Sequence, residues 1–342
     1  MSDSESGPVE RSVQIAGGST FTLSLPREWG VAHRLEKGDS LYIYQESNRL
    51  VVTSSVPAGP DRITRIEAAD MDETRLENRL KSAYIEGYTE IRIGSGAGVR
   101  DELVQAAFRT VDSLLGMEVS ETGDAVVVRD HLDTSAIALE RSIVQMRRLA
   151  LGMQRDAAES VRIDDETLAQ EVVDRDDHVD RLFAFFARVL HGGVATASHL
   201  AALGVDRPTA LYYYKIARTF EQIADRAERI TDVTETQSSP PDELMAVRLK
   251  ELVTTACTVV EHGLRGDSVE AIRTYEELLE RIDAVECDLA ACSDSDAYWY
   301  GTVVESARRT ARLGLNVHNM TIESATNERL DSGTQVESEP IE

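Results

Sequence analysis

Lysine is almost missing from this chain: only Lys37, Lys81, Lys215 and Lys250 occur in 342 residues, although lysine and arginine together number 36. Aromatic residues are scarce too, at 5%, so leucine, valine, isoleucine and alanine must fill most of any core. The three cysteines, Cys257, Cys287 and Cys292, form no Cys-x-x-Cys pair and give no disulfide framework. On helical segments they read as small buried hydrophobes of a reducing compartment. No apolar run approaches the length of a bilayer, and Met1 to Glu10 is polar and acidic. Neither a membrane span nor a signal peptide is therefore expected, and the location expected is cytoplasmic.

What is abundant is negative charge. Sixty-one acidic residues face 36 basic ones, a formal net charge of −25. An acidic surplus with arginine in place of lysine suits a protein that stays hydrated in concentrated salt. There the Debye length falls to roughly 3 Å and self-repulsion is screened. A halophilic cytoplasm is the expected habitat.

At 342 residues the chain is long enough for two or three domains. After a tail over 1–10, residues 11–55 read as a small β module. Its features are Val13-Gln14-Ile15, a Gly17-Gly18-Ser19 turn and Phe21 to Leu25, then a short helix over Arg27 to Leu35. A Gly38-Asp39 turn, Ser40 to Tyr44, a Ser47-Asn48 turn and Leu50-Val51-Val52 complete it. So short a segment with no cysteines or metal ligands holds little core alone, and dimerisation is the natural remedy. Pro57 to Pro60 reads as a linker. Residues 61–131 alternate strand and helix signals and form a small α/β unit, with helices over Asp72 to Gly87 and Arg100 to Leu115 and a closing hairpin around Thr122-Gly123-Asp124. Its Gly94-Ser-Gly-Ala-Gly98 stretch lacks the lysine of a phosphate loop and reads as a connection. From 133 to 327 the pattern is helical, broken near Arg162–Asp164, Gly192-Gly193, Gly204–Pro208, Ser238–Pro241, Arg265–Asp267 and Ser293–Asp296. That makes six helices in two repeats, 133–237 and 241–327, before an acidic tail over 328–342.

The β module, with its Leu25-Pro26 pair opening a short helix, Gly38-Asp39 and a final apolar Leu50-Val51-Val52, resembles the AbrB/SpoVT-type swapped-hairpin family. The resemblance implies an interlocked homodimer and DNA contact through Arg11, Arg27, Arg34, Lys37 and Arg49. Glu10, Glu28, Glu36, Asp39 and Glu46 offset those charges, and salt weakens phosphate contacts steeply, so dimerisation ranks above DNA reading.

In the second long helix Val172, Val179, Leu182, Phe183, Phe186 and Leu190 recur at helical spacing, with Asp176 and Asp180 on the flank. The third helix carries Ile216, Phe220, Ile223, Ala224 and Ala227 as its stripe, edged by Glu221, Asp225 and Glu228. Two such edges brought together raise one another's pKa unless a cation neutralises them. Oxygen-rich clusters suit Mg²⁺, Ca²⁺, Mn²⁺ or iron, although a row of charge is more often a solvated face. Glu171-Val-Val-Asp-Arg-Asp-Asp-His-Val-Asp-Arg-Leu182 and Phe220-Glu-Gln-Ile-Ala-Asp-Arg-Ala-Glu-Arg-Ile230 resemble the second- and third-helix signatures of PhoU proteins. The resemblance implies an all-α pair of three-helix bundles and a regulator of phosphate uptake that contacts a phosphate ABC transporter and a sensor component. It also implies a divalent or iron site at Asp176, Asp180, Glu221 and Asp225, with Glu228 as a further ligand.

The second repeat departs from that pattern. Arg308 and Arg312 stand where the third-helix acid pair is expected, and Leu279 replaces the partner of Asp283. No metal is expected there. The arginines are expected to pair with Glu276, Glu280 or Asp283, an anion site being the alternative. A di-iron carboxylate enzyme would need Glu-x-x-His pairs, but Arg175 precedes His178 by three and Leu315 precedes His318. The expectation is a regulator rather than an enzyme, with a ligand- or metal-sensing repressor that uses the N-terminal module as the alternative.

Overall fold

The computed structural model describes residues 9–17, 20–46, 49–54, 62–94, 98–132, 138–195, 200, 203, 205–291 and 296–333. The chain divides into two compact units, Met1–Ala58 and Gly59–Glu342.

The described residues of the first unit form two antiparallel hairpins and one short helix. β1 (Gln14–Ala16) pairs with β2 (Thr20–Thr22), setting Ile15 opposite Phe21. α1 (Arg27–Ala32) follows Pro26, and then β3 (Tyr42–Glu46) pairs with β4 (Arg49–Thr53), setting Ile43 opposite Val52. The expected turn at Ser47-Asn48, the linker at Pro57 to Pro60 and most of the 1–10 tail lie outside the described residues. Among the described side chains of this unit none is buried. Phe21 is 76% exposed and Ile15 67%, so the described apolar side chains form no core within the unit.

The second unit begins with a four-stranded mixed sheet. β5 (Ile63–Glu67) runs parallel to β6 (Glu90–Gly94), and β7 (Met117–Thr122) and β8 (Ala125–Asp130) add an antiparallel hairpin, in the order β5-β6-β8-β7. Strand alternation sends Ile66, Ile91, Ile93, Val126 and Val128 to one face, where α2 (Glu73–Ile85) and α3 (Asp101–Asp112) cover them. Arg65, Arg92 and Arg129 therefore line the other face. Asp72 caps α2 by accepting from the Arg75 amide at 2.7 Å. Of the glycine-rich connection after β6, residues 95–97 lie outside the described residues.

Among the described residues six long helices follow: α4 (Leu139–Ile163), α5 (Glu166–Ala195), α6 (Arg207–Thr236), α7 (Glu243–Leu264), α8 (Ser268–Ala291) and α9 (Ala297–Gly333). Helices α4, α5 and α6 pack on one another, as do α7, α8 and α9, and α4 meets α7 while α6 meets α9. Aspartates begin several of them: Asp165, Asp206 and Asp242 accept from amides of the first turns of α5, α6 and α7. One core runs through both trios, from Met146, Phe186 and Phe220 to Val253, Leu278 and Val303. Burying each of these side chains contributes roughly 1.5–3 kcal/mol.

Three sequence expectations change. The end of α5 comes slightly after Gly192-Gly193, because the helix continues through both to Ala195. A Cβ on Gly193 would stand 2.5 Å from the Leu200 side chain, so the glycine serves the close seating of Leu200. The last helix also runs on to Gly333, beyond the expected end at 327. Elsewhere α7 and α9 cross closely, since a Cβ on Gly314 would stand 2.8 Å from the Val260 amide nitrogen. Of the cysteines, Cys257 is buried, which pushes its thiol up to about 12, whereas Cys287 is exposed and not the small core residue expected. Cys292 lies outside the described residues.

Candidate functional site

Helices α5 and α6 are antiparallel neighbours. Phe183 meets Tyr214 and Phe186 meets Tyr213, with ring centroids 5.8 and 6.4 Å apart. The apolar stripes behind those rings are buried: Val172, Val179 and Phe186 on α5, and Ile216, Phe220, Ile223, Ala224 and Ala227 on α6. With the stripes packed together, the edge residues are brought into one line. Asp176 lies in the field of Glu228 and Asp225, and Asp180 in that of Asp225. All five carboxylates expected from the sequence thus form one electrostatic cluster.

Each carboxylate is held above its usual range, with desolvation as the first cause. Asp176 rises to about 7, helped by Asp180, Glu228 and Asp225. Glu221 also rises to about 7, pushed by burial and Asp225 and opposed by Arg218. Asp180 is open to solvent, yet enough protein surrounds it that burial leads its shift, with Lys81 of α2 opposing. Glu228 and Asp225 shift in the same direction, and Arg226 opposes for Asp225.

Two oxygens in this cluster, Asp176 Oδ1 and Glu221 Oε2, are buried without a hydrogen-bond partner. Buried polar atoms are normally satisfied, so these two call for a proton or a cation. An all-oxygen donor set fits a hard cation or iron in chemistry. In geometry the cluster stops short of a coordination sphere: among the described residues, no three His, Cys, Asp or Glu side chains converge as a metal site. One reason is visible at Glu221, whose Oε1 is taken by Arg218 at 3.0 Å.

The cluster is roofed by the α/β unit. A cleft of about 490 Å³ between α2, α3 and the α5–α6 edge is lined by Glu77, Lys81, Arg109, Asp180, Arg181 and Glu221, among others. Arg188 of α5 fastens this roof. It is 5% exposed, pairs with Asp130 at the end of β8 and donates to the Tyr84 carbonyl at 2.8 Å, with its guanidinium 4.7 Å from the Tyr84 ring centroid. Sequence periodicity gave no sign of Arg188, because its partners lie in the preceding domain. Lys81 was missed because it lies on α2, far in sequence from Asp180, whereas Arg218 stands three residues before Glu221 on the same helix and that spacing could have revealed it. His178 is exposed, as expected.

In the second bundle Arg308 is ion-paired, but not with Glu276, Glu280 or Asp283. It donates to Glu286 of α8 at 2.5 Å and to Glu305, one turn back on its own helix, at 2.8 Å. The register of α8 against α9 is set by packing, and it brings Glu286 rather than the three expected acids to that arginine.

The N-terminal unit carries its candidate DNA contacts separately. Arg11, Arg27, Arg34 and Lys37 are exposed there, and so are Glu28, Glu36 and Asp39. Arg11 donates to the Glu10 carbonyl at 3.0 Å. Arg34 takes a left-handed backbone (φ 53°) just past α1. The side chain of Arg49 lies outside the described residues.

Among the described residues no helix is long and apolar enough to cross a membrane. No curated protein shows significant similarity to the chain. Residues 143–234 match the family model of the PhoU domain. That span covers most of α4, all of α5 and α6 as far as Thr234, so the protein is PhoU-like in the bundle that carries the carboxylate cluster.

Proposed function

We propose that the protein regulates phosphate uptake and phosphate homeostasis in the cytoplasm, through contacts with a phosphate ABC transporter or its sensor component rather than by catalysis. The observation that carries this reading is the PhoU match over 143–234, the helices whose facing edges assemble the coupled carboxylates. In this reading Asp176, Asp180, Glu221, Asp225 and Glu228 hold a divalent cation or iron. The bound charge relieves their mutual repulsion and fixes the α5–α6 edge as a contact surface. Supporting it are the unpartnered Asp176 Oδ1 and Glu221 Oε2. Two measurements test it. Elemental analysis should find metal in the wild type and little in Glu221→Ala plus Asp225→Ala. Cells lacking the protein should take up phosphate without restraint; unchanged uptake sinks the regulatory reading, and equal metal content in the two proteins sinks the site.

The N-terminal unit is the dimerisation element in this proposal. Its described apolar side chains have no core of their own, and a second copy exchanging hairpins would cover them. Light scattering should give a dimer for the full chain and a smaller species for Ile43→Glu plus Phe21→Glu; a monomeric wild type rules this out. A second reading, a ligand- or metal-sensing repressor, draws on the exposed Arg11, Arg27, Arg34 and Lys37 of the same unit. It requires promoter fragments to be enriched on the full chain at molar salt and lost with Arg27→Glu plus Lys37→Glu.

A further inference from the structure

The seam between the two bundles carries a second charged cluster, opposite in sign to the first. A cleft of about 410 Å³ between α6 and α9 is lined by Arg226, Arg308, Arg309 and Arg312, with Gln222 and Asn316 beside them. Spacing explains the convergence: Gln222 and Arg226 lie four apart on α6, and Arg308, Arg312 and Asn316 lie at intervals of four on α9. Two rows of nitrogen donors therefore face one cleft. Among the described residues Glu305 is the one acidic side chain in this lining, against four guanidiniums. The concentration is against the grain of a chain with 61 acidic and 36 basic residues.

The arginines are not all spoken for. Glu305 accepts from Arg308 at 2.8 Å and from Arg309 at 2.5 Å, and Glu286 accepts from Arg308. Among the described residues, the side chains of Arg226 and Arg312 make no ion pair or hydrogen bond, although Arg226 lies in the field of Asp225. By contrast, Arg65, Arg92 and Arg129 line a trough on the open sheet face where Glu90 already accepts from Arg92 and Arg129, at 2.5 and 3.0 Å. Crowded carboxylates can relieve repulsion by taking up a proton, but a guanidinium does not titrate in a protein. Such a cluster is neutralised by acidic side chains or by a bound anion, and this lining has too few acids. A planar guanidinium fork matches the oxygens of a tetrahedral oxyanion, two at a time, far better than a spherical halide.

We propose that the α6–α9 cleft binds a small tetrahedral oxyanion of the phosphate type, with Arg226 and Arg312 as its primary ligands and Arg308, Asn316 and Gln222 completing the cradle. The test is calorimetric titration of the full-length protein with inorganic phosphate, at an ionic strength held constant with chloride. Saturable binding is expected, with sulfate competing as the same oxyanion class. Arg312→Gln should weaken binding about tenfold, the worth of one charge-assisted hydrogen bond. Arg312 is exposed and unpaired, so this change leaves the fold intact, as the circular dichroism spectrum will check. Arg226→Gln should weaken binding to a similar degree from the other helix, and Arg273→Gln, at an exposed position of α8 outside the cleft lining, should leave it within about twofold. The proposal is overturned if the wild type shows no saturable phosphate binding in excess chloride, or if the folded Arg312→Gln and Arg226→Gln proteins bind as the wild type does.

Discussion

The two helical bundles solve the same problem, like charges crowded on neighbouring helices, in different ways. In the first, the α5 and α6 carboxylates relieve the crowding by holding protons up to about pH 7 at Asp176 and Glu221. The second sets Arg308, Arg309 and Arg312 along α9, where no titration is available, and relief has to come from Glu286, Glu305 or an anion. The first cluster is also roofed by the α/β unit, which supplies Lys81 and the cleft above Asp180, whereas helices alone line the second. On the two proposals made above, a sign change at two third-helix positions separates a proton- or cation-responsive edge from one that responds to anions.

The largest expected effect comes from removing the roof. Arg188→Ala strips the partner from Asp130, which is only 11% exposed, and removes the donor to the Tyr84 carbonyl. Breaking a buried pair in this way costs about 3–5 kcal/mol. Chemical denaturation should therefore show a large loss of stability, led by the α/β unit, while phosphate binding at α6–α9 survives wherever the bundle remains folded. A loss below about 1 kcal/mol would mean that the sheet domain and α5 are held together by their apolar contacts instead.

The next effect separates the clusters by pH. Asp176 moves from 3.8 to about 7 and Glu221 from 4.5 to about 7, so through this window the folded chain carries more protons than the unfolded one. Stability therefore falls as pH rises toward about 7, and above it the full cost of the charged cluster is present. The melting temperature should rise as pH is lowered from 8 to 5 in metal-free buffer. Asp176→Asn plus Glu221→Gln should flatten that slope and raise the melting temperature at pH 8, where Arg308→Gln leaves the slope alone. Glu159 works in the opposite direction. The Arg162 hydrogen bond, then Lys250, holds it down to about 2, so its stabilisation is present above its ordinary 4.5 and is lost only as pH falls toward 2. The scan from 8 to 5 avoids that window. A flat wild-type profile would remove the coupling inferred among the carboxylates.

Periodicity explains why one cluster was legible in the sequence and the other only in part. Val172, Val179 and Phe186, with Ile216, Phe220 and Ile223, announce two helix faces, and the acids flanking them follow at spacings of three and four. Local pattern says nothing of partners brought in by tertiary packing. Arg188 looks like an interruption between Phe186 and Val189 until Asp130, 58 residues earlier, is found beside it. Gly192-Gly193 has the composition of a break and sits inside α5, because the missing side chain makes room for Leu200. Arg226 lies within the carboxylate signature and yet belongs to the arginine cleft, since helix α6 turns that flank toward α9. In the N-terminal unit the hairpins were readable from alternation and turns, whereas alternation did not tell that Phe21 and Ile15 stay exposed within the unit.

The smallest predicted effect bears most directly on whether the arginine row is a structural brace or a site. If α9 carried arginines only to hold α8, the Arg308–Glu286 pair should contribute strongly to stability. The exposures argue otherwise: Arg308 is 26% exposed and Glu286 46%, and Arg308 shares its charge with Glu305. A pair this open gains little net energy, since water screens it and two long side chains lose freedom to form it. The double-mutant cycle of Arg308→Gln and Glu286→Gln should give a coupling of about 0.2–1 kcal/mol, near the lower end in molar salt. In the same proteins Glu286→Gln should leave phosphate affinity unchanged or tighten it, because Arg308 is freed to turn toward the cleft. A coupling of about 2 kcal/mol or more, with affinity falling alongside stability, would make the row a brace and leave the comparison between the bundles one of sign alone.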